Sequence, residues 1–395
     1  MPGIFRSFKF IFPFIICIIC VLFVAVFAET IGDMDIESLI LISPPNEDKL
    51  YYSPLISGDS ILFYANSIDE SNNVSRRTDL FDYSISTGNL TLIGKGKIGI
   101  QTWDSARIGG KWIVYTRHNN SISKNSPAGT DIFSFNLDSG KEELLGTSFG
   151  TNPDVSVDGD IVVWETGTKE TVWFGLTNTR EYFVIYNLSK HSKANFIPSL
   201  PDNPGKPVLY KDLPVYEGTS YDLRNKITGK SIFNNNIFCY NISSGKEKQV
   251  SFSGHAYFPS ESGPNIVWED TRNGNPDIYL YNLSGSKEQP VCTNSADQRN
   301  PKISGDWVVW EDKRRQPAQP KVNACPSGEY CPVETQVPQV SDIYLYNLTK
   351  KIESCISVPI GNPSQITGQN TDSDVSDHRV VWARYGAVYL YPSTK

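Results

Sequence analysis

The sequence predicts an all-β fold: a single seven-bladed β-propeller of four-stranded blades, its ring closed by an N-terminal strand that completes the last blade. Three observations carry this expectation. Breakers are frequent, with 29 Gly and 25 Pro among 395 residues, so long helices are excluded, while 20 Tyr, 19 Phe and 8 Trp supply a large core. One module recurs seven times along the chain. The seventh copy stops at Tyr391 without its fourth strand, and a spare strand, Glu37 to Ser43, precedes the first.

Taken in order, the chain begins with Arg6 and Lys9 ahead of an apolar run from Phe10 to Ala28. Residues 1–28 read as a signal peptide, cut after Ala28, or as an N-terminal membrane anchor through residues 10–28 if uncleaved. The expected localisation is therefore export, to the cell surface or as a secreted protein. Seven sequons, at Asn73, Asn89, Asn119, Asn187, Asn241, Asn282 and Asn347, fit that compartment as glycosylation sites. Several also sit in N-L-S-x-G segments that make good hairpin turns.

The repeat fills residues 29–395. Its sixth copy reads PKISGDWVVWED from Pro301 and resumes as SDIYLYNLTKKIESCIS from Ser341 after the insertion 313–341. Each unit is four short apolar runs bounded by Gly, Asn or Asp, here strands a to d. Strand b carries an aromatic at one recurrent place: Tyr64, Tyr115, Trp164, Tyr216, Trp268, Trp310 and Trp382. Runs such as WVVW and IYLY are apolar at every position, so both faces of each sheet are covered, as in radially packed blades. Cys325 and Cys331 are close enough to form a disulfide within the insertion, whereas the pairing of Cys239, Cys292 and Cys355 stays open.

The unit ISGDWVVWED…DIYLYNL resembles the TolB-like propeller repeat, especially the form found in archaeal cell-surface proteins, over about residues 36 to 395. The resemblance implies an exported binding or assembly scaffold. The stretch before Pro54 has no room for the separate N-terminal domain of bacterial TolB, so a Tol-system role is not expected.

The net charge of −7 excludes nucleic acid as the main partner. No P-loop, dinucleotide fingerprint or G-x-S-x-G motif occurs, and the four His (His118, His191, His255 and His378) are scattered, so no cofactor and no metal are expected. The pairs Asp270 with Arg272 and Asp312 with Arg314 recur in two blades and read first as ties within their own loops. Long b-to-c connections and the d-to-a connections emerge on one face, where binding is expected to concentrate. The candidate binding residues there are Trp103, His255, Tyr257, Asp270, Arg272, Gln298, Arg299, Asp312 and Arg314. The expected function is a non-catalytic binding or assembly scaffold for a protein or glycan partner. The alternatives are a polysaccharide lyase or glycosidase with carboxylates gathered at the central channel, or a structural envelope component.

Overall fold

Alternating β-branched and aromatic runs separated by S-G-D and N-L-S turns fold into seven antiparallel four-stranded sheets. The structure, a computed structural model, describes residues 39–43, 49–68, 76–95, 103–119, 129–149, 153–171, 177–199, 203–221, 233–315, 341–357, 370–384 and 386–392. Residues 1–28, Asn73, Cys325 and Cys331 lie outside them. The chain divides into two units, residues 1–39 with Thr394 and Ile40–Ser393 with Lys395, and all the blades belong to the second.

The a strands are Lys49–Ser57, Trp103–Gly109, Val155–Asp158, Asn203–Tyr210, Ala256–Ser262, Gln298–Ser304 and Asn370–Ser376, in blades 1 to 7. Each lies against the a strands of both neighbours, so together they surround a central channel. Blade 7 takes three strands from the C-terminal end (Asn370–Ser376, Arg379–Arg384 and Ala387–Tyr391) and its fourth, Ile40–Ser43, from the N-terminal end. The pairing is antiparallel, with Ile40 opposite Leu390 and Leu41 opposite Tyr389. The closure expected from the sequence is thus present, carried by Ile40–Ser43 among the described residues of the segment.

The core is a set of seams between blades. In these seams an aromatic of strand b packs toward the preceding blade: Trp164 against Val114 and Ile132, Trp268 against Val215 and Ile237, Trp310 against Val267 and Ile278, and in blade 1 Phe63, in place of the expected Tyr64, against Val381 and Val388. All of these are fully or almost fully buried. Polar bonds repeat with the blades too. The last residue of strand a accepts an N–H from the next blade's a-to-b turn, as in Gly110 to Ser57 Oγ (3.0 Å), Lys211 to Asp158 Oδ2 (2.6 Å), Gly305 to Ser262 Oγ (2.9 Å), Asp377 to Ser304 Oγ (3.2 Å) and Gly58 to Ser376 Oγ (3.1 Å). The Ser of the S-G-D motif is therefore a latch between blades.

Candidate functional site

Six of the seven a strands interrupt their pairing to strand b just before the latch, between Tyr52 and Leu55, Trp103 and Ala106, Gly205 and Val208, Tyr257 and Ser260, Arg299 and Lys302, and Thr371 and Asp374. At five of these interruptions one non-glycine residue takes a left-handed backbone: Ser53, Lys206, Phe258, Asn300 and Asp372, with φ between 49° and 56°. Such bulges bend the strand and re-aim a side chain. Because strand a is the innermost, the re-aimed side chains stand at the channel.

What holds the bulges is a carboxylate. The residue after the strand-b aromatic is Glu in four consecutive blades, and each accepts the bulge N–H of the blade that follows. Lys206 donates to Glu165 Oε2 at 3.2 Å, Phe258 to Glu217 Oε1 at 2.6 Å, Asn300 to Glu269 Oε2 at 3.4 Å and Asp372 to Glu311 Oε1 at 3.0 Å. By register the corresponding residues of the other blades are Tyr64, Thr116 and Ala383, so the acids occupy one side of the ring. Side chains extend the network: Asn300 Nδ2 donates to Glu311 Oε1 (3.1 Å), Ser53 Oγ to Asp372 Oδ2 (3.2 Å), and Lys206 Nζ lies 3.3 Å from Glu217 Oε1.

Burial changes the protonation of these acids. Burial, with Asp154 and Glu181 nearby, pushes the Glu165 carboxyl up to about 7, and burial also raises Glu269 and Glu311. Asp154, the neighbour of strand a in blade 3, accepts the Glu165 N–H through its carbonyl at 3.4 Å. Further down the channel, burial lowers the Lys302 ammonium and raises the Asp374 carboxyl, each within electrostatic reach of the other and of Arg107. Among the described residues no group of His, Cys, Asp and Glu could hold a metal ion.

The structure spreads the sequence-selected binding residues over several roles. Asp270 has no exposed surface. It accepts from Trp268 Nε1 (2.9 Å), Ser253 Oγ (2.8 Å) and the Arg272 guanidinium (2.6 and 2.9 Å), while Arg272 also reaches Glu288 (2.6 Å) and stacks on Tyr279. Asp312 repeats this with Trp310 (2.9 Å) and Arg314 (2.7 Å), and Arg314 reaches Glu353 (2.6 Å). Gln298 is fully buried and donates to the Ala296 carbonyl. These five residues bind their own blades together. Arg299 pairs with Glu269 (3.3 Å) and Asp297 (3.1 Å), Tyr257 is half-buried beside it, and His255 is exposed. Trp103 opens strand a of blade 2 opposite Arg117.

The c-to-d Asn residues cap their own turns. Asn187, Asn241, Asn282 and Asn347 each accept a backbone N–H two or three residues on through Oδ1, as does Asn136, which is not in a sequon. Asn89 lies in the corresponding turn of blade 1, and Asn119 ends strand b of blade 2. Cys239, Cys292 and Cys355 are free thiols.

No protein-family model matches the chain, and no curated protein matches it. Solved structures do. The β-propeller domain of the Trilobed protease from Pyrococcus furiosus, described as having an open velcro topology, aligns with a TM-score of 0.59 at 12% identity over 88% of this chain and 97% of that one. Pyrococcus horikoshii acylaminoacyl peptidase aligns with a TM-score of 0.59 at 11% identity over 87% of this chain, which spans 51% of the peptidase. Oligogalacturonate lyase from Vibrio parahaemolyticus gives 0.51 at 12% identity, over 89% of this chain and 92% of that one. The chain is a β-propeller, and these likenesses establish that fold.

They also correct the expectation of a non-catalytic scaffold, since the propellers it resembles belong to peptidases and a lyase. That expectation rested on dispersed His and missing nucleophile motifs. The fold instead gathers carboxylates, the feature named for the enzymatic alternative, from blades whose sequences are some fifty residues apart. The sequence signal is the Glu that follows Trp164, Tyr216, Trp268 and Trp310, which in two of the four blades stands beside an Asp that pairs with an Arg inside its own blade.

Proposed function

We propose that the propeller is a glycan-cleaving hydrolase working at the channel, with Glu165 as general acid and Asp154 as the accompanying carboxylate. The observation that carries this reading is the Glu165 carboxyl, half-buried at the channel, fixed through Oε2 by the Lys206 N–H and pushed up to about 7 beside Asp154. Glycoside hydrolysis asks for one protonated and one ionised carboxyl flanking the scissile bond. Glu165 gives its proton to the glycosidic oxygen as the bond to the sugar carbon breaks and its electron pair passes to that oxygen. Asp154 stabilises the positive charge left on the carbon until water adds there and gives its proton to the Glu165 carboxylate, restoring the acid. The likeness to propellers of peptidases and a lyase favours an enzyme. The N-terminal apolar run supports export of this activity, in keeping with the TolB-like repeat.

A polysaccharide lyase is the second reading, favoured by Lys302, an amine whose charge burial disfavours, next to Arg107. The full-length protein should release reducing ends from a glycan without forming an unsaturated sugar. Its rate should fall above about pH 7, where Glu165 loses its proton, and Glu165→Gln should lower kcat by at least about a hundredfold. An unsaturated product abolished by Lys302→Gln would decide for the lyase. Full turnover by Glu165→Gln would remove Glu165 from the reaction.

A further inference from the structure

The bulge of blade 5 displays Phe258, and we propose that this ring is the stacking platform of a subsite for a neutral glycan. The inference rests on the reading of the channel as the place where substrate binds. Phe258 keeps 40% of its surface exposed, while the strand-b aromatics of the same blades are buried. Its backbone sits at φ 52°, a conformation unfavourable for a bulky side chain and comfortable for Asn, which blade 6 uses at the same place. A bulge needed only for its bend would have no reason to carry an aromatic there. Strain of this kind persists where the surroundings over-determine it, here through the 2.6 Å bond from Phe258 N–H to Glu217.

The ring is also oriented. Lys206 Nζ lies 3.8 Å from its centroid and 3.3 Å from Glu217 Oε1, so the cation both fixes Phe258 and is neutralised by that acid. With Lys206 paired in this way, the positions beyond Lys206 and Asn300, which flank Phe258, carry carboxylates: Asp154 in blade 3 and Asp372 in blade 7. Those groups accept hydrogen bonds from sugar hydroxyls and repel a uronate. The apolar face of a pyranose stacks on an aromatic ring while its edge hydroxyls reach acceptors at the sides; Phe258 provides the ring and the acids of the blades around it the acceptors. Phe252, 74% exposed on the d-to-a connection leading into the same strand, adds a second ring on that face.

The test is binding of neutral oligosaccharides (β-linked glucose, mannose and N-acetylglucosamine series) and of oligogalacturonate to the full-length protein by calorimetry. A neutral series should bind more tightly than oligogalacturonate. Phe258→Asn, which suits the backbone and removes the ring, should weaken it about tenfold or more at an unchanged melting temperature, and Phe258→Trp should restore it. Turnover of the same glycans, read separately by reducing-end release, keeps this inference apart from the catalytic reading: binding without turnover leaves the platform standing and removes the hydrolase. Equal binding by Phe258→Asn, preference for oligogalacturonate, or no binding by any neutral series would overturn the proposal.

Discussion

Glu261 occupies the place in strand a where the other blades carry Ile56, Ile108, Val157, Leu209, Ile303 and Val375. It is buried between blades 4 and 5, and neither carboxyl oxygen has a hydrogen-bond partner among the described residues. Burial first, and then Asp158 and Asp212, raise its pKa well above the ordinary 4.5, and its presence adds to the burial that pushes the Cys239 thiol up to about 12. A carboxyl in that situation is held neutral. Because its folded pKa exceeds its unfolded one, its contribution to stability is complete below about pH 4.5 and declines as pH rises toward the folded value. Glu261→Leu should raise stability at pH 8 by about 1–3 kcal/mol and flatten that decline, read from urea denaturation at several pH values. An unchanged pH slope in the variant would refute this account.

At the scale of the element, the W-E-D-x-R segment shows how one strand end can serve two purposes. Its Trp fills the seam and its Asp gathers the indole N–H and the guanidinium, while the Glu between them points to the next blade's bulge. Burial works to raise Asp270, yet the hydrogen bonds from Arg272, Trp268 and Ser253 hold it below the usual carboxylate range. Its contribution is therefore present above the unfolded value of about 3.8 and is lost as pH falls through the folded one. Asp270→Asn should cost about 2–4 kcal/mol at neutral pH and move acid unfolding to higher pH, measured by circular dichroism. Blade 7 lacks the motif: Arg384 stands where the Asp would be, and Trp382 Nε1 has no acceptor among the described residues. The strands, turns and closing strand were legible because alternation, breakers and repetition are local signals. The bulges were not, since a left-handed Phe258 or Lys206 depends on a carboxylate from another blade. The channel acids were hidden for the same reason, as nothing in W-E-D tells which of two carboxylates stays inside its own blade.

Over the whole molecule, stability is distributed among seams that resemble one another, so losses at separate seams should add. Ser57→Ala, Ser262→Ala and Ser376→Ala each leave a turn N–H without its acceptor and should each cost about 0.5–1.5 kcal/mol, with the triple variant near their sum. Strong non-additivity in the melting curves would mean that the seams are coupled around the ring. Closure is the exception to this even distribution. Removing residues 29–45 takes away the partner of Ala387–Tyr391 and uncovers a sheet edge, so the truncated protein should unfold at much lower temperature and aggregate. Melting like the full chain would show that the last blade does not need its fourth strand.

That fourth strand is only Ile40–Ser43, with Ile40 and Leu41 both more than two-fifths exposed, and it meets a blade made from the opposite end of the sequence. Each propeller is therefore at once the donor of a short strand and the acceptor of one, and nothing in the pairing of Ile40 with Leu390 requires both to come from the same chain. At high concentration two molecules can trade these strands and form a swapped dimer with every blade intact, each ring fastened by the other's thread.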